Sequence, residues 1–389
     1  MTNLTLFSQI ISRLDRSKFK TLVNTHESDK HQKGFTSWSH LVSMLFCQFA
    51  KSQSVRDISN GLRSATGNLS HLGMIKAPSK STLSYQNKHR SWELFRDYHY
   101  CLLDSLGQQA SLKRVKFRIK SKILLLDATT ISLCLSLFDW AKYKTSKGAI
   151  KMHTLLDYDG NLPAYVNITD GKTADNKGAY DIPLLKGSVI VADRFYNDLS
   201  LLDVWDSKGV FFVIRHKENI QFITIKENDL PVGKQEHILK DEIIKLTGLQ
   251  SKKKYSKKLR RVAIWDDENQ QVIEVITNQM SWTANTISEL YKARWQVEIF
   301  FREIKQLLHI KSFIGTSENA VMIQIWTALI TILVLKALKA IAKHKWYLSN
   351  LVAFIRLNLF VKVDLIKWLD QPFENKHPPP QKEIQGVLF

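Results

Sequence analysis

Two short apolar runs, KILLLDATTISL from Lys122 and SVIVADRFY from Ser188, each contain one aspartate, Asp127 and Asp193. Continuous leucine and β-branched residues bounded by polar segments read as strands buried on both faces, at the centre of a sheet covered by helices. A carboxylate in such a strand is costly unless a partner takes up its charge, and a metal ion is one such partner. Around these runs the pattern alternates. AIKMHTLLDYDG and NLPAYVNITDG form a hairpin about Asp159-Gly160-Asn161. A helix is expected near 176–185, another over 197–207, and VFFVIRHK is a further buried strand. A hairpin meander followed by alternating helices and strands indicates an α/β layer with a mixed sheet.

From 221 to 279 come four more strand-like runs, QFITIKEN, HILKDEIIKL, RRVAIWDD and QVIEVITNQ. They read as a β-rich insertion separate from the central sheet. Within it, KKKYSKKLRR contains Lys252, Lys253, Lys254, Lys257, Lys258, Arg260 and Arg261. Such a density of cations leaves them no partner inside the run, so they are expected on DNA, the alternative being a solvated loop. Arg215 follows VFFVI at the C-terminal end of a strand, where ligands gather in open α/β sheets, and is expected on a phosphate.

The segment 283–309 reads as one long helix. Tyr291, Arg294, Glu298 and Lys305 are offset by 0, 3, 7 and 14 residues. At roughly 100° per residue they fall near 0°, 300°, 340° and 320°, a stripe about 60° wide. Leu290, Val297, Phe300 and Ile304 lie on the opposite, core-facing side, and Glu289 and Glu303 fall well off the stripe, so the geometry singles out Glu298. On the helix alone, an Arg294–Glu298 pair on a solvated face would read the same way. Two strand carboxylates and one helical carboxylate together suit a pair of divalent cations that clamp a phosphodiester for in-line attack. Mg²⁺ favours oxygen ligands of this kind, with Mn²⁺ as a substitute.

Charge points to the same class of partner. The chain holds 56 Lys and Arg against 36 acidic residues, a formal +20. Residues 1–120 account for nineteen of the cations and seven of the acids. Such an excess implies a polyanion. This third reads as helical, over 37–49 with Ser37 as cap, over 54–64 with a Ser54/Asp57 cap pattern, and in a third segment opening at Pro78-Ser79-Lys80-Ser81. A short helix, a loop and a basic helix resemble a helix-turn-helix, in which Lys80, Ser81, Ser84, Tyr85, Lys88 and Arg90 would face DNA. A small bundle with a solvated basic face is the alternative. A membrane partner is not expected, because the apolar run 320–335 has 16 residues, with Gln324, Thr327 and Thr331 among them, and a span needs about 20. It reads as a buried core helix. Cys47, Cys101 and Cys134 make no CxxC pair, which argues against a disulfide scaffold or a cysteine zinc site. The opening residues lack a signal-peptide layout, and a cytoplasmic protein is expected. His153 reads as structural, Asp157 and Asp159 as turn-forming, Asp170 and Asp175 as turn or cap residues. The tail from 371, with three consecutive prolines, is expected to be poorly ordered.

With these residues in place, the chain resembles the DDE transposases of bacterial insertion sequences, in the family marked by Tyr-x2-Arg-x3-Glu-x6-Lys. Tyr291, Arg294, Glu298 and Lys305 match that signature at every spacing. Asp127 in LLLDATT resembles the family's first catalytic aspartate and Asp193 in VADRFY its second, with Tyr196 matching the accompanying Asp-x2-Tyr. The resemblance implies an RNase H-like core, with Asp127 on the first strand, Asp193 after the fourth, Glu298 on a later helix and a β-rich insertion after the fifth strand. It implies cleavage at transposon ends and joining of 3′-hydroxyls to target DNA. Asp127, Asp193 and Glu298 would hold two Mg²⁺, and Tyr291, Arg294 and Lys305 would orient phosphates. The implied partners are double-stranded DNA and, in the DNA complex, a second copy of the chain. One feature departs from the family: members that use a terminal hairpin have a tryptophan in the insertion's last strand. Here QVIEVITNQ has none, while Trp265 precedes it and Trp282 follows. The expected division is a helical DNA-binding domain over 1–115, catalytic core over 122–220 and 281–345, insertion over 221–280, and a C-terminal helix with tail over 346–389. A structure-selective nuclease on the same fold and a catalytically inactive DNA-binding regulator remain open as alternatives.

Overall fold

A computed structural model describes residues 3–65, 67–107, 119, 121–133, 140, 142–144, 147–218, 220–230, 237–308 and 313–373. Along the chain the strands are β1 (Ile123–Leu133), β2 (Lys142–Lys144), β3 (Lys147–Asp157), β4 (Leu162–Asp170), β5 (Val189–Ala192), β6 (Phe211–Arg215), β7 (Phe222–Glu227), β8 (Ile238–Leu246), β9 (Leu259–Asp266) and β10 (Gln271–Thr277). They pair into one mixed sheet in the order β2-β3-β1-β5-β6-β10-β9-β8-β7, with β4 along the other edge of β3. β1, β5 and β6 run parallel, and the first four residues of β1 and all of β5 are buried. This is the continuous apolar pattern of strands covered on both faces. The expected hairpin is present, with Asn161 in the left-handed region at φ 51° and Asp157 accepting the Asp159 N–H at 3.1 Å.

All four strands expected over 221–279 form, but they are not separate from the central sheet. β10 pairs antiparallel with β6 through Val275↔Arg215, Ile276↔Ile214 and Thr277↔Val213, and β9, β8 and β7 follow outward. The edge of β6 would otherwise offer unpaired backbone groups, and β10 closes it. The helix expected near 176–185 is reduced to a 3-10 turn at Lys177–Ala179. Pro183 disfavours helical backbone at the residue before it, which stops a longer helix.

The segment 283–309 forms two helices, α9 (Ala284–Ala293) and α10 (Trp295–Leu307). Arg294 between them keeps helical angles, φ −51° and ψ −33°. Its N–H bonds to the Tyr291 carbonyl and its carbonyl accepts from Val297, so the ladder tightens to 3-10 spacing for one turn. The axis continues, which keeps the polar stripe on one side. α9 and α10 join the core on one face of the sheet, while α7 (Leu199–Ser207), capped by Asp198, covers the other with Leu201, Leu202 and Trp205.

The N-terminal helices are α1 (Leu6–Ile11), α2 (Arg16–Thr25), α3 (Ser37–Ala50), α4 (Val55–Ser64), α5 (Lys80–His89) and α6 (Glu93–Gly107). Ser54 caps α4 as expected. α3 is capped by Thr36 rather than Ser37, its hydroxyl accepting the Ser39 N–H at 3.2 Å. Helices from the C-terminal part of the chain join this bundle. α11 (Glu318–Ile341), α12 (Leu348–Asn358) and α13 (Leu365–Asp370) pack among the N-terminal helices and share their core. The Leu6 and Phe7 N–H groups bond to the Val361 and Leu359 carbonyls, both at 2.9 Å. α11 is long and apolar enough to cross a bilayer, yet 78% of its apolar window is buried inside the protein. The tail beyond 373 and the basic residues Lys113, Arg114, Lys116, Arg118 and Lys120 lie outside the described residues.

Candidate active site

The three carboxylates come from three elements. Asp127 lies within β1, opposite Thr154 of β3. Asp193 follows the last residue of β5, and its carboxylate accepts the Phe195 N–H at 2.8 Å. Glu298 stands in the first turn of α10. Arg294 joins them: its guanidinium is 2.6 Å from Glu298 and 3.7 Å from Asp127, and its charge also acts on Asp193. Burial pushes the Asp127 carboxyl up to about 7. The Ala128 N–H and Arg294 oppose that shift, while Asp193 and Glu298 add to it. Burial likewise raises Asp193, against the Phe195 N–H and Arg294. Burial, more than the neighbouring carboxylates, therefore disfavours the charged form of both aspartates.

Among the described residues, no three carboxylate, imidazole or thiol groups already converge on one point that could hold an ion. Between Asp127 and Glu298 the cation is Arg294. The donor set nonetheless suits a hard divalent cation: carboxylate oxygens on partly buried side chains, with burial raising both aspartates. A cleft of about 400 Å³ opens beside Asp127 and Glu298, lined also by Thr129, Arg302, Lys305 and Gln306. The Lys305 ammonium donates to the Thr129 hydroxyl at 2.5 Å and the Thr130 carbonyl at 2.9 Å, which ties α10 to β1. Tyr291 is buried beneath Arg294, whose guanidinium carbon is 5.8 Å from the ring centre. Burial raises its phenol, while Arg294 and then Arg215 pull it down, so Arg215 faces the same region from the end of β6.

Thr129 and Arg302 escaped the sequence reading, although both carry a signal. Thr129 shares the face of Asp127 by strand alternation, and Arg302, at roughly 20° on the helical wheel, falls beside the stripe.

Other expected site residues are placed differently. Tyr196 is 1% exposed and packed in the core beneath β5, so its phenol cannot meet DNA from this position. On α5, Lys80, Ser81, Ser84, Tyr85 and Lys88 are exposed, but Arg90 is 4% exposed. Its guanidinium donates to the Phe35 and Thr36 carbonyls and pairs with Asp29, which makes it a brace of the bundle. The basic run also divides. Lys252, Lys253 and Lys254, at the end of the short helix α8 (Leu249–Lys254), are exposed, as is Lys258. Lys257, also exposed, pairs with Asp206 at 2.8 Å. Arg260 and Arg261 are turned inward. Arg260 makes a two-pronged contact with Asp241, at 2.8 and 2.6 Å, and Arg261 is clasped by Glu242 and Glu274. Neither arginine is free for phosphate, because strands β8 and β10 supply carboxylates from outside the run. His153 is buried against Gly178, with Nε2 3.0 Å from the Thr169 hydroxyl. Trp282 packs against Phe211 at 5.9 Å between ring centres, and its carbonyl accepts from Arg260.

Comparison with known proteins places this geometry in a family. The family model described as "Transposase DDE domain" matches residues 118–334, and a domain of unknown function, DUF4372, matches residues 2–75. A Geobacillus stearothermophilus protein described as a transposase for insertion sequence element IS5377 is 29% identical over 277 residues, 71% of this chain and 72% of the relative. A Sinorhizobium fredii protein described as transposase y4zB is 28% identical over 262 residues, covering 67% and 71%. A Synechocystis protein described as a transposase for insertion sequence element IS4SA is 24% identical over 292 residues, covering 74% and 80%. Enzymes with this domain in general work with divalent metal ions. The match spans more than half of the sequence and includes all three carboxylates and the Tyr-Arg-Glu-Lys signature, and the chain belongs to the DDE transposase family.

Proposed function

We propose that the chain cleaves DNA at transposon ends and joins the freed 3′-hydroxyls to target DNA by two-metal phosphoryl transfer, on a core of RNase H-like type. The observation that carries this reading is Arg294 bridging Asp127 and Glu298, with Asp193 close enough to feel the same charge and burial raising both aspartates. Asp127, Asp193 and Glu298 would hold two Mg²⁺, or Mn²⁺ in their place. When bound, these ions supply Lewis-acid stabilisation of the attacking and leaving oxygens. The protein's own part is positioning. Lys305, bonded to β1, presents a cation at the cleft where a phosphate would lie, Arg294 balances Glu298 and Asp127 beside it, and Tyr291 packs beneath Arg294. Arg215 approaches from β6. Exposed Lys252, Lys253, Lys254 and Lys258 on the insertion, and Lys80 and Lys88 on α5, would meet backbone phosphates of a duplex, with two copies of the chain acting on the DNA.

Asp127→Asn, Asp193→Asn and Glu298→Gln are each expected to lose cleavage and joining by about a hundred- to a thousand-fold while end binding persists, the scale on which losing an electrostatic stabiliser acts. Strand-cleavage assays in Mg²⁺ measure this directly. Near wild-type cleavage by any one variant removes that residue from the site.

A further inference from the structure

The cations at the cleft beside Asp127 and Glu298 are of two kinds. Arg294 is engaged by those carboxylates, and the Lys305 ammonium by the Thr129 hydroxyl and the Thr130 carbonyl. Arg302 lines the same cleft and is exposed. Among the described residues its guanidinium has neither an ion pair nor a hydrogen bond. The helix explains why. Phe300 and Ile304, two residues to either side, point into the core. That turns Arg302 and Gln306, four residues apart, toward the opening. Glu298 lies at i,i+4 spacing from Arg302 and could pair with it, but Glu298 is held by Arg294 at 2.6 Å. The adjacent acid, Glu303, is turned to Lys336 of α11 at 4.0 Å.

The chemistry and place of this free cation narrow its partner. A guanidinium keeps its charge at any working pH, and its planar fork of N–H donors matches two oxygens of one phosphate. From Glu298 to Arg302 the helix rises about 6 Å, at roughly 1.5 Å per residue. One strand of a duplex presents a phosphate roughly every 3.4 Å of its axis, so Arg302 stands about two phosphates from a bond held at the carboxylates. The cleft continues past Arg302 to Gln306, whose amide adds neutral donors along the same path. A chain of phosphates suits such a path better than an isolated anion, which Asp127 and Glu298 in the same lining would repel.

We propose that Arg302 grips one backbone phosphate of the strand being cut, within about two nucleotides of the scissile bond, and so sets the register in which that strand crosses the carboxylates. The inference rests on the DNA-processing reading above. It gives a direct hold on substrate to a residue outside the Tyr-Arg-Glu-Lys signature.

The test uses the full-length protein and synthetic duplexes of the DNA flanking its coding sequence. Cleavage of the unmodified duplex in Mg²⁺ maps the cut. Binding is then measured without divalent ions on duplexes that each contain one methylphosphonate, which removes the charge of a single phosphate. For the wild type, one methylphosphonate beside the cut is expected to weaken binding roughly 10- to 150-fold, the worth of one hydrogen-bonded charge. Arg302→Ala should bind the unmodified duplex weaker by a similar factor and be indifferent to the methylphosphonate at that position alone. Arg302→Lys, which keeps the charge but loses the fork, should recover part of the affinity. Both variants should melt with the wild type. The same methylphosphonate pattern in wild type and Arg302→Ala overturns this inference and leaves the DNA reading intact, whether or not the variant melts lower. Indifference at a phosphate far from the cut overturns the assigned register. Absence of binding to any duplex overturns the DNA reading as well.

Discussion

At the scale of single residues, Asp127 shows what the site costs the fold. Its carboxyl is raised from 3.8 to about 7, chiefly by burial. An acid whose native pKa is raised favours the folded state while it is protonated, and that contribution is lost as pH rises through the native value. Above pH 7 and without divalent ions, Asp127 is therefore a buried charge only partly relieved by the Ala128 N–H and Arg294. Asp127→Asn is expected to melt several degrees higher than the wild type at pH 8, with the gap closing toward pH 5, as thermal scans in chelator would record. A wild type as stable as the variant at pH 8 would mean that Asp127 is already compensated. This tension was visible in the sequence, since LLLDATT places a carboxylate in an apolar run. Its counter-charge was only half visible: helical spacing pairs Arg294 with Glu298, but nothing in the spacing shows Arg294 reaching β1.

At the scale of elements, the insertion marks where sequence reading stops. Its four strands were legible because each has β-branched residues between polar breaks. Their partner was not, because pairing of β10 with β6 joins residues about sixty positions apart, and a local pattern contains no information about that register. The basic run misled for the same reason. Asp241, Glu242 and Glu274 stand 13 to 19 residues from the arginines they hold, beyond any local count of charge. This division predicts two different phenotypes. Arg260→Ala leaves Asp241 buried without its partner and should cost about 3–5 kcal/mol of stability. Charge reversal of Lys252, Lys253, Lys254 and Lys258 to Glu should leave the melting temperature nearly unchanged. It should weaken DNA binding and flatten its salt dependence by about one unit of log–log slope for each lysine that meets a phosphate. Denaturant melts and salt titrations of both variants separate the two effects, and equal salt slopes in wild type and the reversed variant would make the lysines a solvated surface.

At the scale of the whole molecule, the chain is held together by returns. α11 supplies the bundle with fifteen buried residues, from Ala320 to Leu338, and α1 is hydrogen-bonded to the segment after α12. A fragment of residues 1–120 therefore lacks the apolar surface that α11 packs against it and is expected to show no cooperative melt by near-ultraviolet circular dichroism, whereas a sharp transition would restore it as an independent domain. The same long-range closure brings the proposed site together, because Asp127, Asp193 and Glu298 come from β1, the end of β5 and α10. The most direct measurement of the central claim is metal rescue with cysteine at these three positions. A thiolate accepts softer transition-metal ions far better than Mg²⁺, so Asp127→Cys, Asp193→Cys and Glu298→Cys should be inactive in strand cleavage with Mg²⁺ and regain activity with Mn²⁺. Unchanged cleavage in Mg²⁺ by the cysteine variants would contradict the claim that these three carboxylates hold the catalytic ions.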